Sequence, residues 1–335
     1  MFEGRSRLEI LRRIILLSTG AFAFVSSTIR AEAPATDGPA LKWEKLGAST
    51  GRPLIFLPAV GFPGHYWSKV YDEFKATHPI YVITYAGSGG VRPISAPYLE
   101  KIVDGLHDLI TQEKLKSPVL VGHFMGLQMS IRLAAKYPDD VGGIFGLPLM
   151  SAPPPVEARK EAGERLTAEY LRIEPDLWLP TLSQQVRGVV RDPATVDHLM
   201  SLFKDTDRET YARMIGELTA DSIEDYLPKI RCPVCLIATV PLQQRRETLE
   251  EGQERLAALS QSRVEQIRML YPGLAKCYIT ALRNVQFYAM MDSANRLVFP
   301  LQRFLQRLDE PKSRWESTIA TTTSPDATSP AATSP

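Results

Sequence analysis

Apolar positions along this chain fall into short solid runs separated by stretches with a helical period. Pro53-Leu54-Ile55-Phe56-Leu57, Ile80 to Tyr85, Val119-Leu120-Val121 and Gly143 to Leu147 are nearly continuous apolar runs. That is the pattern of strands covered on both faces. Between Tyr98 and Gln112, Leu99, Ile102, Val103, Leu106, Leu109 and Ile110 recur at the spacing of one buried helix stripe. A further helix is expected through Ala135, stopping near Tyr137-Pro138. Strand-like runs return at Val234 to Ala238 and at Ala275 to Thr280. A last helix carries Leu297, Leu301, Phe304, Leu305 and Leu308 on one face, with Pro300 expected to distort its middle. Strands alternating with helices predict an α/β fold with a mostly parallel central sheet flanked by helices. Ligands of such sheets sit at the carboxyl ends of the strands.

The alternation is interrupted once. Pro153-Pro154-Pro155 breaks regular structure, and a charged, helix-rich stretch runs on to about Lys229. The expected division is therefore a core of residues 41–151 and 230–310 with a helical cap, 152–229, inserted over the carboxyl ends of the strands. Residues 311–335 turn to Ser, Thr, Pro and Ala without apolar periodicity and are expected to be disordered.

At the other end, Arg5, Arg7, Arg12 and Arg13 precede an apolar run from Ile14 to Val25 and an exit through Ala31 and Ala33. Residues 1–33 read as an export signal, followed by a linker over 34–40. The apolar run falls short of the ~20 residues of a membrane span, which leaves an uncleaved anchor as the alternative. Arg12-Arg13-Ile14-Ile15-Leu16 also resembles a twin-arginine signal, which would carry the protein across the membrane already folded.

Composition narrows the function more than it identifies it. The 335 residues are 44% hydrophobic and 23% charged, with 39 Lys and Arg against 38 Asp and Glu. A net charge of +1 offers no basic excess for a nucleic-acid partner. Cys232-Pro233-Val234-Cys235 has C-x-x-C spacing, but it opens a buried strand on which residues three apart diverge, so the thiols are expected to be core residues. There is no Gly-rich phosphate loop, no H-E-x-x-H and no metal-spaced His/Cys cluster, so no cofactor or metal is expected.

The chemistry concentrates at Val119-Leu120-Val121-Gly122-His123-Phe124-Met125-Gly126, a strand running into a tight turn. It resembles the nucleophile elbow of α/β-hydrolases, G-x-S-x-G, with both glycines in place and phenylalanine where the serine would stand. Val285-Gln286-Phe287-Tyr288-Ala289-Met290-Met291-Asp292 is similar to the H-F-x-M-x-D segment of capped, carboxylesterase-like members, which puts Phe287 at the histidine position. Tyr85 to Gly90 is similar to a further loop of that family, and the resemblance spans about residues 45–308. The resemblance implies an α/β-hydrolase fold whose catalytic triad is lost. The histidine loss also stands without it: His65, His78, His107, His123 and His198 are the only histidines, and none follows residue 198. The acid positions fare no better, with Leu147-Pro148-Leu149 after one strand and Thr239-Val240-Pro241-Leu242 after the next. Glu247 is the nearest carboxylate there and is expected to begin a helix. Nucleophile, base and acid act as a unit, so the degenerate positions Phe124, Pro148 and Phe287 leave no triad.

What can survive is the backbone. By the same resemblance, an oxyanion hole would use the N–H of Met125 and of Val60 or Gly61. His65 and Tyr66 share the loop of Val60 and Gly61, and His123 adjoins the elbow, so Val60, Gly61, His65, Tyr66, His123, Phe124 and Met125 form the expected ligand site. Phe124 and Phe287 are expected to face each other and dry the space between them, adding ~0.5–1.5 kcal/mol beyond burial. The leading expectation is an exported pseudo-hydrolase that binds a small apolar, acyl or ester-like molecule or a protein partner. A carboxylic ester hydrolase with a relocated site, using His65 or a water, is the alternative. A scaffold with a closed pocket is the third reading.

Overall fold

A computed structural model describes residues 38–190, 192–241, 249–310 and 321–323. The segment expected to direct export, residues 1–33, lies outside the described residues, as do Glu247 and most of the tail. Eight strands form one sheet: β1 (Leu41–Gly47), β2 (Leu54–Leu57), β3 (Pro79–Tyr85), β4 (Val119–His123), β5 (Gly143–Leu147), β6 (Val234–Val240), β7 (Cys277–Arg283) and β8 (Thr321–Thr323). Their order is β1-β3-β2-β4-β5-β6-β7-β8, with β1 antiparallel to β3 and every other pair parallel. The α/β reading of the sequence is thus correct.

Every residue of β2, β4 and β5 is buried, which is why these strands are solid apolar runs rather than alternating ones. β1 was not legible in that way: as an edge strand it exposes most of its residues and mixes Lys42, Glu44 and Lys45 among its apolar ones. β8 departs from the expected structureless tail, since Thr321–Thr323 pairs along Ile279–Ala281 of β7.

The helices of the core are α1 (Ser68–Tyr71), α2 (Tyr98–Gln112) and α3 (Met125–Lys136). Between β5 and β6 the chain adds α4 (Arg159–Leu171), α5 (Trp178–Arg187), α6 (Pro193–Phe203) and α7 (Arg208–Ala220). Asp192 and Asp207 start α6 and α7 by accepting from the backbone N–H of Ala194 and Thr210. α8 (Leu249–Leu270), α9 (Ala289–Asp292) and α10 (Ala294–Leu308) complete the core. α10 runs through Pro300, whose buried ring lies on the same face as Leu297, Leu301 and Phe304. Packing of that face holds the helix together across the missing N–H. No helix among the described residues is long and apolar enough to cross a membrane.

Candidate functional site

The elbow joins β4 to α3 at Phe124, whose φ of 48° and ψ of −103° lie where a side chain is strained. Such a residue costs ~1–3 kcal/mol and persists only where its surroundings over-determine it. Here they do. A Cβ on Gly126 would stand 2.2 Å from the Leu57 carbonyl oxygen, and one on Gly122 would stand 2.5 Å from the backbone of Gly126 and Leu127. The two glycines let strand and helix close to backbone contact. Phe124 N–H donates to the Leu147 carbonyl at 2.9 Å, tying the turn to the next strand.

The side chains around the turn are aromatic. Phe124 and Phe287 are both half-buried. They are not ring partners as expected: Phe287 packs on His123, 4.3 Å between centroids, and edge-on against Tyr288 at 5.1 Å. His123 is fully buried. Its Nδ1 meets the Tyr66 hydroxyl. With the phenol, the stronger acid of the pair, donating to Nδ1, the ring's own proton stands on Nε2, which has no hydrogen-bond partner. A buried donor left unmatched costs ~1–3 kcal/mol. Burial pushes the His123 pKa down to about 3, so the ring is neutral and a feeble base. Tyr66 and Tyr85 are fully buried phenols pushed well up by desolvation, and the Tyr85 hydroxyl is also unpartnered.

His65, expected to line the site with Tyr66, does not. Its Nε2 lies 2.9 Å from Glu44 of edge strand β1 and its Nδ1 2.9 Å from the Tyr71 hydroxyl, with half of the side chain exposed. The short 3-10 turn Gly64–Trp67 explains the split, because neighbouring side chains on a turn point in different directions. His78 contacts the Arg52 carbonyl and His107 pairs with Asp140 at 2.6 Å. His123 alone of the described histidines belongs to the elbow.

The residues expected to supply backbone donors lie at a helix start and in a tight turn. Met125 opens α3, where the first N–H groups lack intrahelical partners. Val60 and Gly61 occupy a turn closed by Phe62 N–H to the Ala59 carbonyl at 3.3 Å. Pro148, following β5, is buried and carries no acid. Asp292, four residues past Tyr288, ends α9 and is half-buried.

The cap is bolted onto this site. Thr206 Oγ1 donates to the Gly61 carbonyl at 2.6 Å, Asp207 N–H to Gly87 at 2.8 Å and Gly90 N–H to Asp205 at 3.2 Å. Glu217 of α7 accepts from the N–H groups of Tyr98 and Leu99 at 2.9 and 3.1 Å, capping α2 from the roof. Phe62 packs against Phe203 and Tyr288, and Phe203, Tyr211, Trp178 and Tyr170 continue the edge-on stack into the cap. A Cβ on Gly61 would stand 2.3 Å from the Phe203 ring, so glycine admits the roof as well as the turn. The sequence reading passed over these cap rings; the signal was Tyr170, Trp178, Phe203 and Tyr211 in an otherwise charged stretch. A shallow recess of ≈ 330 Å³ lies elsewhere, at the α2–cap seam, where Arg213 is paired with Glu209 and Glu217 is already used.

No family model matches the sequence, and no curated protein matches it. Solved structures do resemble it. A thermophilic esterase from Thermogutta terrifontis, solved with malate bound, is 18% identical over 81% of this chain and 94% of that one, with a TM-score of 0.60. An enol-lactonase from Burkholderia xenovorans LB400 is 16% identical over 79% and 96%, with a TM-score of 0.61. This chain has the α/β-hydrolase fold. A bromoperoxidase from Bacillus anthracis shares that architecture at 15% identity and a TM-score of 0.59, over 79% of this chain and 95% of that one. At these identities the likeness concerns the α/β-hydrolase fold, and the chemistry has to be argued from the side chains.

The remaining nucleophile candidates are inert. Cys232, Cys235 and Cys277 are free thiols, each pushed up to about 12 by burial. Among the described residues no cluster of His, Cys, Asp or Glu is arranged to hold a metal ion.

Proposed function

We propose that this α/β-hydrolase-fold protein is a catalytically inactive pseudo-hydrolase that binds a small, apolar, ester-like ligand at the elbow without cleaving it. The observation that carries the reading is Phe124, which occupies the strained elbow position with a side chain that has no proton to lose and no lone pair. Phe287 supplies no base opposite it, and the one elbow imidazole, His123, is neutral and buried. Half-buried Phe124 and Phe287 offer apolar surface on either side of His123, and the Met125 N–H remains as a donor for a carbonyl oxygen. Purified protein exposed to short-chain nitrophenyl esters is expected to give background rates, and a serine-directed fluorophosphonate should leave it unlabelled. Robust turnover that persists through purification would sink the reading.

The alternative, a hydrolase with a relocated site, draws on one observation. Glu44, His65 and Tyr71 line up in the order carboxylate, imidazole, hydroxyl. Burial and the nearby Asp72 and Glu44 carboxylates push the Tyr71 phenol up to about 12, which makes it a reluctant nucleophile. If esterase activity is found, its loss in Tyr71→Phe would favour this reading.

Export is part of the proposal, on the basic segment before Ile14 and the alanine-rich exit at Ala31 and Ala33. Mature protein isolated from outside the cytoplasm should begin near residue 34. A product that still begins at Met1 would point to the anchored alternative.

A further inference from the structure

His123 Nε2–H is a buried donor without a partner, and the ring packed nearest to it, Phe287, is itself half-exposed. A ligand approaching past Phe287 therefore has that ring to displace before it reaches the donor. The groups around it are uncharged. The rings packed on His123 are Tyr66, Phe287 and Tyr288, and burial keeps both phenols protonated. A charge carried into such surroundings would lose its water and gain no counter-charge.

We propose that this site selects an uncharged carbonyl compound, an ester, lactone or ketone, whose oxygen accepts from His123 Nε2–H when Phe287 swings aside, and that it rejects the matching carboxylate. The proposal rests on the non-catalytic reading above and sharpens it. A binder with this preference registers an intact ester and ignores its hydrolysis product. Tyr66 is the positioning residue, because its hydroxyl fixes the tautomer that presents the Nε2 proton.

Methyl phenylacetate and sodium phenylacetate, titrated at pH 7.5 into the purified full chain labelled with nitrogen-15 histidine, test it directly. The ester is expected to bind at least ~10-fold more tightly than the acid and to move the His123 Nε2–H resonance, as gain of a hydrogen bond worth about a factor of ten would do. Phe287→Ala should tighten ester binding by opening the way, and His123→Phe should weaken it by ~10-fold. Equal binding of ester and acid, ester binding that leaves the Nε2–H resonance in place, or no ester binding by either wild type or Phe287→Ala would overturn the inference. Should His123→Phe not fold, the resonance in wild type and Phe287→Ala decides alone. Methanol release from methyl phenylacetate would instead defeat the non-catalytic reading, while the ester-over-acid preference would still be read from a non-hydrolysable ketone, phenylacetone.

Discussion

The elbow and the loop after β7 each bring a phenylalanine to the same site, but they hold it on different backbones. Phe124 sits at φ 48° and ψ −103°, wedged by glycines packed to backbone contact. Phe287 is absent from the positive-φ residues of the chain and follows β7 on an ordinary loop. A strained elbow is usually read as equipment for catalysis. Here it is kept with a phenylalanine at the apex, because Gly122 and Gly126 seat α3 directly on β2 and β4. The strain belongs to the architecture.

The largest effect should come from breaking that seat. Gly126→Ala places a Cβ 2.2 Å from the backbone oxygen of Leu57, where no flexible side chain can yield. It is expected to cost more than ~4 kcal/mol or to abolish folding, the range reserved for such mechanisms. A urea midpoint within error of wild type would mean that the elbow is not held by this contact.

The buried imidazole beside the elbow should give the next effect. Its folded pKa is depressed from 6.5 to about 3, so its contribution to stability is complete above pH 6.5. Below that the unfolded chain takes up a proton that the folded chain refuses, and stability falls as pH falls toward 3 at ~1.4 kcal/mol per unit. Between pH 7.5 and 4.5 wild type should lose roughly 2–3 kcal/mol more than His123→Phe. Urea denaturation of both proteins at the two pH values measures the difference, and parallel losses would refute it.

A smaller effect separates the two phenylalanines themselves. Both rings are half-buried, so Phe287→Ala should cost about 2 kcal/mol, around half of a full core truncation. Phe124→Gly loses a similar ring but relieves ~1–3 kcal/mol of backbone strain, so it should stay within ~1 kcal/mol of wild type. If the two variants lose the same stability, the elbow strain is not real. The smallest change is expected for Phe124→Ser, which should leave ester turnover at background, since no base stands at position 287 and an unassisted serine is a poor nucleophile. A working esterase from that single substitution would reveal a base that the site as described does not contain.

Much of this is legible in the sequence alone. The solid runs at Leu54–Leu57, Val119–Val121 and Gly143–Leu147 mark strands buried on both faces because burial leaves no polar position to alternate. The two glycines around Phe124 marked the turn, since few other residues permit so close an approach. β1 escaped because an edge strand needs little apolar periodicity, and the three-residue β8 because its pairing is carried by backbone hydrogen bonds to a distant strand.

The sequence by itself determined the sheet, the tight turn, the phenylalanine at its apex and the lack of any histidine after residue 198, because each depends on residue type or on local spacing. Tertiary structure alone decided what surrounds that phenylalanine. Residues 65 and 66 are neighbours, yet one turns out to Glu44 while the other meets His123, 57 positions away. Which imidazole nitrogen carries the proton, which ring Phe287 covers and how firmly the cap is bound to Gly61 follow from contacts between distant segments. Local periodicity encodes which face a residue shows, and it carries no record of what the fold brings to meet that face.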